Sequence, residues 1–206
     1  MTIRFHKGDL AADIDFGDVV AIDTETLGLE VRRDRLCVVQ LSRGDGTADV
    51  LQIAPGQSHA PRLEAVLADA NVLKLFHFGR FDMATLCYAF GVMPAPVYCT
   101  KIASKIARTY TDRHGLKDLT RELLGVEISK QQQSSDWGAP ALSEAQLAYA
   151  ASDVLHLHAL REKLDAMLLR EGRDGLARAA FGYLPDRVRL DLAGFEATDI
   201  FAHASP

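Results

Sequence analysis

The chain has 206 residues, 48% of them hydrophobic and 25% charged, which suits one globular domain with an ordinary core. Its net charge of −5 argues against a protein that grips long nucleic acid with its whole surface, because each phosphate neutralised needs a cation. No run approaches the roughly 20 apolar residues that span a bilayer. Residues 1–13 lack an apolar stretch followed by small residues, so no signal peptide is expected and the expected location is cytoplasmic. Cys37, Cys87 and Cys99 are widely spaced with no C-x-x-C pair, so a disulfide framework or a cysteine zinc site is not expected.

In chain order the elements read as α/β. Residues 19–23 (VVAID) form an apolar, β-branched run expected to be a buried strand. After a turn at Gly28, residues 36–42 (LCVVQLS) make a second strand, and the G-D-G at 44–46 turns it into a third over 48–53. The chain is thus expected to begin with an antiparallel meander. A helix over 62–70, a strand over 72–78 and a helix over 80–90 ending at Gly91 follow. Beyond a proline loop and a short strand near Val97, the pattern is helical. One helix over 116–124 stops at Gly125, and a long one over 143–170 carries Ser143 and Gln146 as a capping box, with Gly172 and Gly175 ending it. A short helix and an apolar tail over 190–201 close the chain. No repeat or low-complexity linker divides it, so a single domain over 1–206 is expected, with 172–206 as an extension.

The strand VVAIDTET ends in Asp23 and Glu25, two apart and therefore on one face. Such a D-x-E pair is common on solvated surfaces, yet here it ends a very apolar strand. Two carboxylates there repel unless a cation lies between them, and Mg²⁺ takes such oxygen ligands together with substrate phosphates. Asp82, in HFGRFDMATL, sits in the first turn of a helix, where the macrodipole alone favours an acid. Asp153 lies mid-helix in an Ala- and Leu-rich segment, a poor place for Asp. Tyr149, four residues earlier, shares its helix face. Together the four acids can cage two divalent ions that clamp an in-line displacement at phosphorus, with Tyr149 orienting or deprotonating the water.

DTET, then HFGRFD, then YAASD, in this order, resemble the three exonuclease motifs of the DEDD superfamily. Tyr in the last motif marks the DEDDy branch that includes ribonuclease D. The runs ISKQQQSSDW and LSEAQLAYAASDVLHLH are similar to that family too, over roughly residues 19–168. The resemblance implies an RNase H-like mixed sheet flanked by helices, and removal of nucleotides from a 3′ end. It implies two Mg²⁺ or Mn²⁺ ions held by Asp23, Glu25, Asp82 and Asp153, with Tyr149 activating water. The segments DRLCVVQLS, TYTDRHGLK and DIFAH are most similar to the short nanoRNase C group. That resemblance implies a 3′–5′ exoribonuclease acting on short oligoribonucleotides, dinucleotides included, and releasing nucleoside 5′-monophosphates. It also implies a ring-like homo-oligomer such as an octamer, and no helical RNA-binding domains after the catalytic one. Two other readings stay open, a 3′–5′ exodeoxyribonuclease and a non-catalytic nucleic-acid-binding module.

Several further residues can be weighed as substrate contacts. Thr24 lies between the first two acids, and Leu27 could wedge against a base or simply pack in the core. His77 and Arg80 flank the Asp82 motif and could touch phosphate or sugar, Arg80 with the better geometry. From Thr100 to Arg121 six basic residues face two acids. Within this stretch Tyr110, Arg113, His114 and Lys117 could cap the far end of a short substrate, or form a solvated face. Trp137 reads as a buried anchor more than a stacking platform. The apolar residues after Leu168 could fold back on the domain or cover a neighbouring copy.

Overall fold

The computed structural model describes residues 1–129 and 131–203. Lys130, within the ISKQQQSSDW run, and residues 204–206 of the C-terminal extension lie outside the described residues. The framework is a six-stranded sheet in the order β1-β4-β3-β2-β5-β6. Its strands are β1 (Thr2–Lys7), β2 (Val19–Thr26), β3 (Leu36–Ser42), β4 (Thr47–Gln52), β5 (Leu73–Phe76) and β6 (Val97–Cys99). The expected meander is present, with β2, β3 and β4 antiparallel, while β5 and β6 continue the sheet in parallel from β2. The mixed RNase H-like sheet is therefore the fold.

β1 was not expected. It is an edge strand in parallel register with β4, and it carries no apolar run because its residues stay largely exposed. Polar pairs fasten it. Arg4 forks onto the buried Asp49 at 2.6 and 2.8 Å, and His6 Nε2 lies 2.7 Å from the same carboxylate.

Helices α1 (Pro61–Ala68) and α2 (Arg80–Phe90) follow their strands, α2 ending at Gly91 with φ 72°. Then come α3 (Thr100–Ala107) and α4 (Leu116–Leu119), which runs into a π-helical turn over Thr120–Leu124 and stops at left-handed Gly125. The expected long helix is two. α5 (Glu144–Leu155) and α6 (Leu157–Arg170) are separated at His156, whose ψ of −5° interrupts the winding. No Pro or Gly marks that break, so the apolar pattern reads straight through it. The Ser143–Gln146 capping box does start α5. Gly172 ends α6 with φ 64°, whereas Gly175 lies inside α7 (Asp174–Leu190). α7 is 17 residues long, not short, and runs on into a π-helical turn over Asp191–Phe195. Pro185 within it hides the pattern, but Ala177, Phe181, Leu184 and Val188 recur at helical spacing and are buried.

The main core joins Val20, Ile22, Leu41 and Leu75 of the sheet with Leu63, Leu67, Leu86, Leu160 and Leu164 of the helices. A smaller cluster of Cys37, Val38, Val50, Trp137 and Ala150 lies where α5 crosses the meander. α5 is thereby held across β2, the strand that carries Asp23 and Glu25. No described helix is long and apolar enough to cross a membrane.

Candidate active site

β2 leaves the core at its C-terminal end, and its register against β3 slips between Glu25 and Thr26. Asp23 and Glu25 therefore stand at the rim of a buried sheet. Thr24, between them, is buried and donates from Oγ1 to Asp82 Oδ1 at 2.7 Å. Asp82 reaches this position through a sharp turn between β5 and α2. Phe78 adopts φ 66°, and a Cβ on Gly79 would lie 2.5 Å from the Phe76 Cβ. Only glycine fits at 79, and the turn places the first coil of α2 against the end of β2. From the other side α5 brings Tyr149 and Asp153 over the same rim.

Ligand atoms of Asp23, Glu25 and Asp153 all lie within 4.8 Å of one another. Burial first, and the neighbouring Asp153 and Asp82 second, push the Glu25 carboxyl up to about 9. Asp23 is raised well above the carboxylate range by burial and by Asp82, Asp153 and Glu25. Burial lifts Asp82 to about 7 against the opposing hydrogen bond from Thr24. The Tyr149 phenol is pushed up by burial, then by Asp153, Glu25 and Asp23, and it hydrogen-bonds Asp153. Negative charge is therefore disfavoured here unless a positive charge joins it. Clustered carboxylate oxygens are the donors that hard divalent cations prefer, so these residues fit such ions.

The acids open into a cavity of about 450 Å³. Its walls also carry His77, Lys101 and Lys117, while Leu29, Phe78 and Phe81 give it apolar surface. Lys101 Nζ sits 4.1 Å from the centre of the Phe78 ring. Trp137 is a buried anchor, 2% exposed, with its ring 5.9 Å from that of Tyr149. A larger apolar groove of about 590 Å³ lies between β6, α6 and α7. Its acids are matched by bases, Asp165 with Arg161 at 3.4 Å and Asp174 with Arg178 at 2.6 Å, and they form no carboxylate cluster like that of the first.

Thus Asp23, Thr24, Glu25, His77, Asp82, Lys117, Tyr149 and Asp153 share one cavity. Arg80 does not join them. Its guanidinium forks onto Asp191 at 2.5 and 2.7 Å and donates to the Glu196 carbonyl, so it fastens α2 to the C-terminal segment and is not turned to a phosphate. Leu27 is 54% exposed, which rules out core packing, but it lies against Gly138 and does not line the cavity. Leu29, 81% exposed, does. Tyr110, Arg113 and His114 belong to the loop after α3 and lie outside the lining, with His114 Nδ1 2.8 Å from Ser104 Oγ. Sequence reading missed Leu29, Phe78 and Phe81 and counted Lys101 only as a charge; no motif spacing singles them out.

A six-stranded mixed sheet with acids at the rim of its second strand defines an RNase H-like nuclease domain. Residues 6–169 match the 3′-5′ exonuclease family model, and the chain belongs to that family. It is similar to Brucella melitensis NrnC, solved with bound Mg²⁺, at 60% identity and TM-score 0.96 over 99% of this chain and 100% of that one. The same protein bound to pGG is 61% identical over the same shares, also at TM-score 0.96. Ribonuclease D of Gluconacetobacter diazotrophicus is 42% identical over 154 residues, which are 75% of this chain but only 39% of that relative's length. Escherichia coli RNase D superposes with TM-score 0.74 at 26% identity, over 84% of this chain and 45% of the other.

The raised carboxyls set the sign of a stability test. Glu25 holds its proton to higher pH in the folded chain than in the unfolded one, so its favourable contribution is complete below pH 4.5 and is lost as pH rises towards about 9. In chelator, Glu25→Gln is expected to stabilise the protein more at pH 8 than at pH 5 by chemical denaturation. Equal effects at both values would contradict this account of the cluster.

Proposed function

We propose that the protein is a metal-dependent 3′–5′ exoribonuclease that hydrolyses very short RNA, dinucleotides included, to nucleoside 5′-monophosphates. The observation that carries this reading is the juxtaposition of Asp23, Glu25 and Asp153, with Asp82 and Tyr149, in a cavity that also holds Lys101 and Lys117. Its volume is in the range of pockets that enclose small ligands, which favours a short substrate over a polymer tract. That Brucella melitensis NrnC is solved with Mg²⁺ and with pGG supports the same reading.

Asp23, Glu25, Asp82 and Asp153 would hold two Mg²⁺ or Mn²⁺ ions. Such a pair, when bound, sharpens a water nucleophile and offsets charge on the leaving oxygen. The Thr24 hydroxyl fixes the orientation of Asp82. Tyr149 keeps its proton at Oη in the metal-free cluster and hydrogen-bonds Asp153, so it is placed to orient the attacking water. Lys101 and Lys117 offset phosphate charge, His77 lies within reach of the same group, and Leu29 and Phe78 offer apolar surface to the bases. Water oxygen joins phosphorus, the bond to the upstream 3′ oxygen breaks, and that oxygen takes a proton. In this reading Tyr110, Arg113 and His114, beside Lys117, receive the far phosphate of a short substrate.

We also propose that the chain assembles as a ring-like homo-oligomer through its C-terminal segment. Phe201 lies 6.0 Å from Tyr183 in its own α7, centre to centre, yet it stays 76% exposed, with Phe195 at 44% and Ile200 at 45%. Folding back thus leaves much of this apolar surface uncovered, as an interface would require.

Product analysis on a length series of 5′-labelled RNAs tests the activity. Stepwise loss of 3′ mononucleotides, fastest on the dinucleotide, is expected; internal cleavage, or rates that climb with length, would refute it. In the same assay Tyr149→Phe should slow turnover by about 10²–10⁴-fold, and a near-normal rate would make Tyr149 a packing residue. Light scattering tests assembly. Deletion of residues 194–206 should lower the mass of the oligomer; a monomeric parent, or an unchanged deletion variant, would sink the proposal.

A further inference from the structure

Arg108 closes α3 and is completely buried. A guanidinium removed from water is costly unless its donors are met, and here they are met by α3, the loop after it and the π-helical turn beyond α4. Nη1 donates to the Arg113 carbonyl at 2.9 Å and to Ser104 Oγ at 3.2 Å. Nη2 donates to the Glu122 carboxylate. Nε reaches the Tyr110 hydroxyl at 3.4 Å, and the guanidinium carbon lies 5.7 Å from the centre of the Tyr110 ring. Ser104 Oγ carries the network on to His114 Nδ1 at 2.8 Å. Glu122 belongs to the π-helical turn that continues the helix of Lys117.

We propose that Arg108 is a positioning residue that sets Tyr110, Arg113, His114 and Lys117 as one unit for the far phosphate of a short substrate, an inference that rests on the function proposed above. Arg108 itself is sealed from solvent and cannot touch substrate. The residues between α3 and α4 have little regular structure of their own, and Tyr110 is 72% exposed. What fixes their spacing is a planar cation with fixed donor directions. Its ion pair with Glu122 spans the loop, so the loop's two ends, α3 and the turn after α4, are held at one separation. A lysine would keep the charge but not the fork.

The test is steady-state kinetics on dinucleotides bearing a 5′-phosphate or a 5′-hydroxyl. The enzymes compared are the parent, Arg108→Lys, Glu122→Gln and Arg113→Ala, with melting curves for each. Glu122 is partly exposed, so its variant keeps the proposal testable if Arg108→Lys does not fold. Arg108→Lys and Glu122→Gln should raise KM for the 5′-phosphorylated dinucleotide about 10–100-fold, the loss of one charged hydrogen bond or two. Their kcat, and their KM for the 5′-hydroxyl form, should change less than about threefold. Variants that keep the parent's preference for the phosphate, or that lose kcat equally on both substrates, overturn the positioning role. A parent indifferent to the 5′-phosphate, or an Arg113→Ala enzyme that matches it, shows instead that the far-phosphate reading has failed, and the proposal falls with it.

Discussion

Repulsion among partly buried carboxylates is the constraint on which the rest of this molecule turns. Two like charges about 4 Å apart near a protein surface repel by roughly 4 kcal/mol, and Asp23, Glu25 and Asp153 bring their oxygens within 4.8 Å of one another. Such a cluster persists only if the surrounding structure over-determines it. The fully buried β3 braces β2 on one side, and the small core beneath α5 fixes the other wall. The Phe78–Gly79 turn drives Asp82 in from a third direction. Stability given up at the rim is what a cation can return.

The basic wall of the cavity is built differently. Where the acids stand on the rim of the sheet, the cavity's lysines, Lys101 and Lys117, come from α3 and α4, elements with little sheet contact. Apolar packing seats both helices, α3 through Ala103 and Ala107 and α4 through Leu119, while the buried Arg108 ties the loop between them to Glu122. The same economy holds at the other end of the chain. Asp191 receives both Arg80 and Arg187, so an ion-pair network joins the start of α2, two residues from Asp82, to the C-terminal segment. This is why Arg80 is turned away from the cavity despite standing beside a catalytic motif.

Short-range rules made two pairs legible in the sequence, Asp23 with Glu25 and Tyr149 with Asp153, while the family resemblance of the three ordered motifs supplied Asp82 and the expectation that all of them meet. A D-x-E at the end of an apolar strand shares a face, and Y-x-x-x-D shares a helix face, whatever the rest of the fold does. The meander and the helix stops at Gly91 and Gly125 followed in the same way from alternation and glycine. What escaped is set by long-range contacts. β1 has no apolar run because Asp49, far away in sequence, holds it with charge. The kink at His156 carries no Pro or Gly. Leu27 and Leu29 cannot be told apart as cavity residues without knowing where Gly138 lies. Arg80 looked available until its partner, 111 positions later, was in view.

The central claim is that these carboxylates are built to hold divalent cations. Isothermal titration of Mg²⁺ into the chelator-stripped protein at pH 7, run in two buffers of different ionisation enthalpy, tests it most directly. The account predicts saturable binding with release of protons, since carboxyls raised to about 7 and about 9 must give theirs up. The binding should be lost in Asp23→Asn. No binding in the parent protein, or equal binding in the variant, would contradict it.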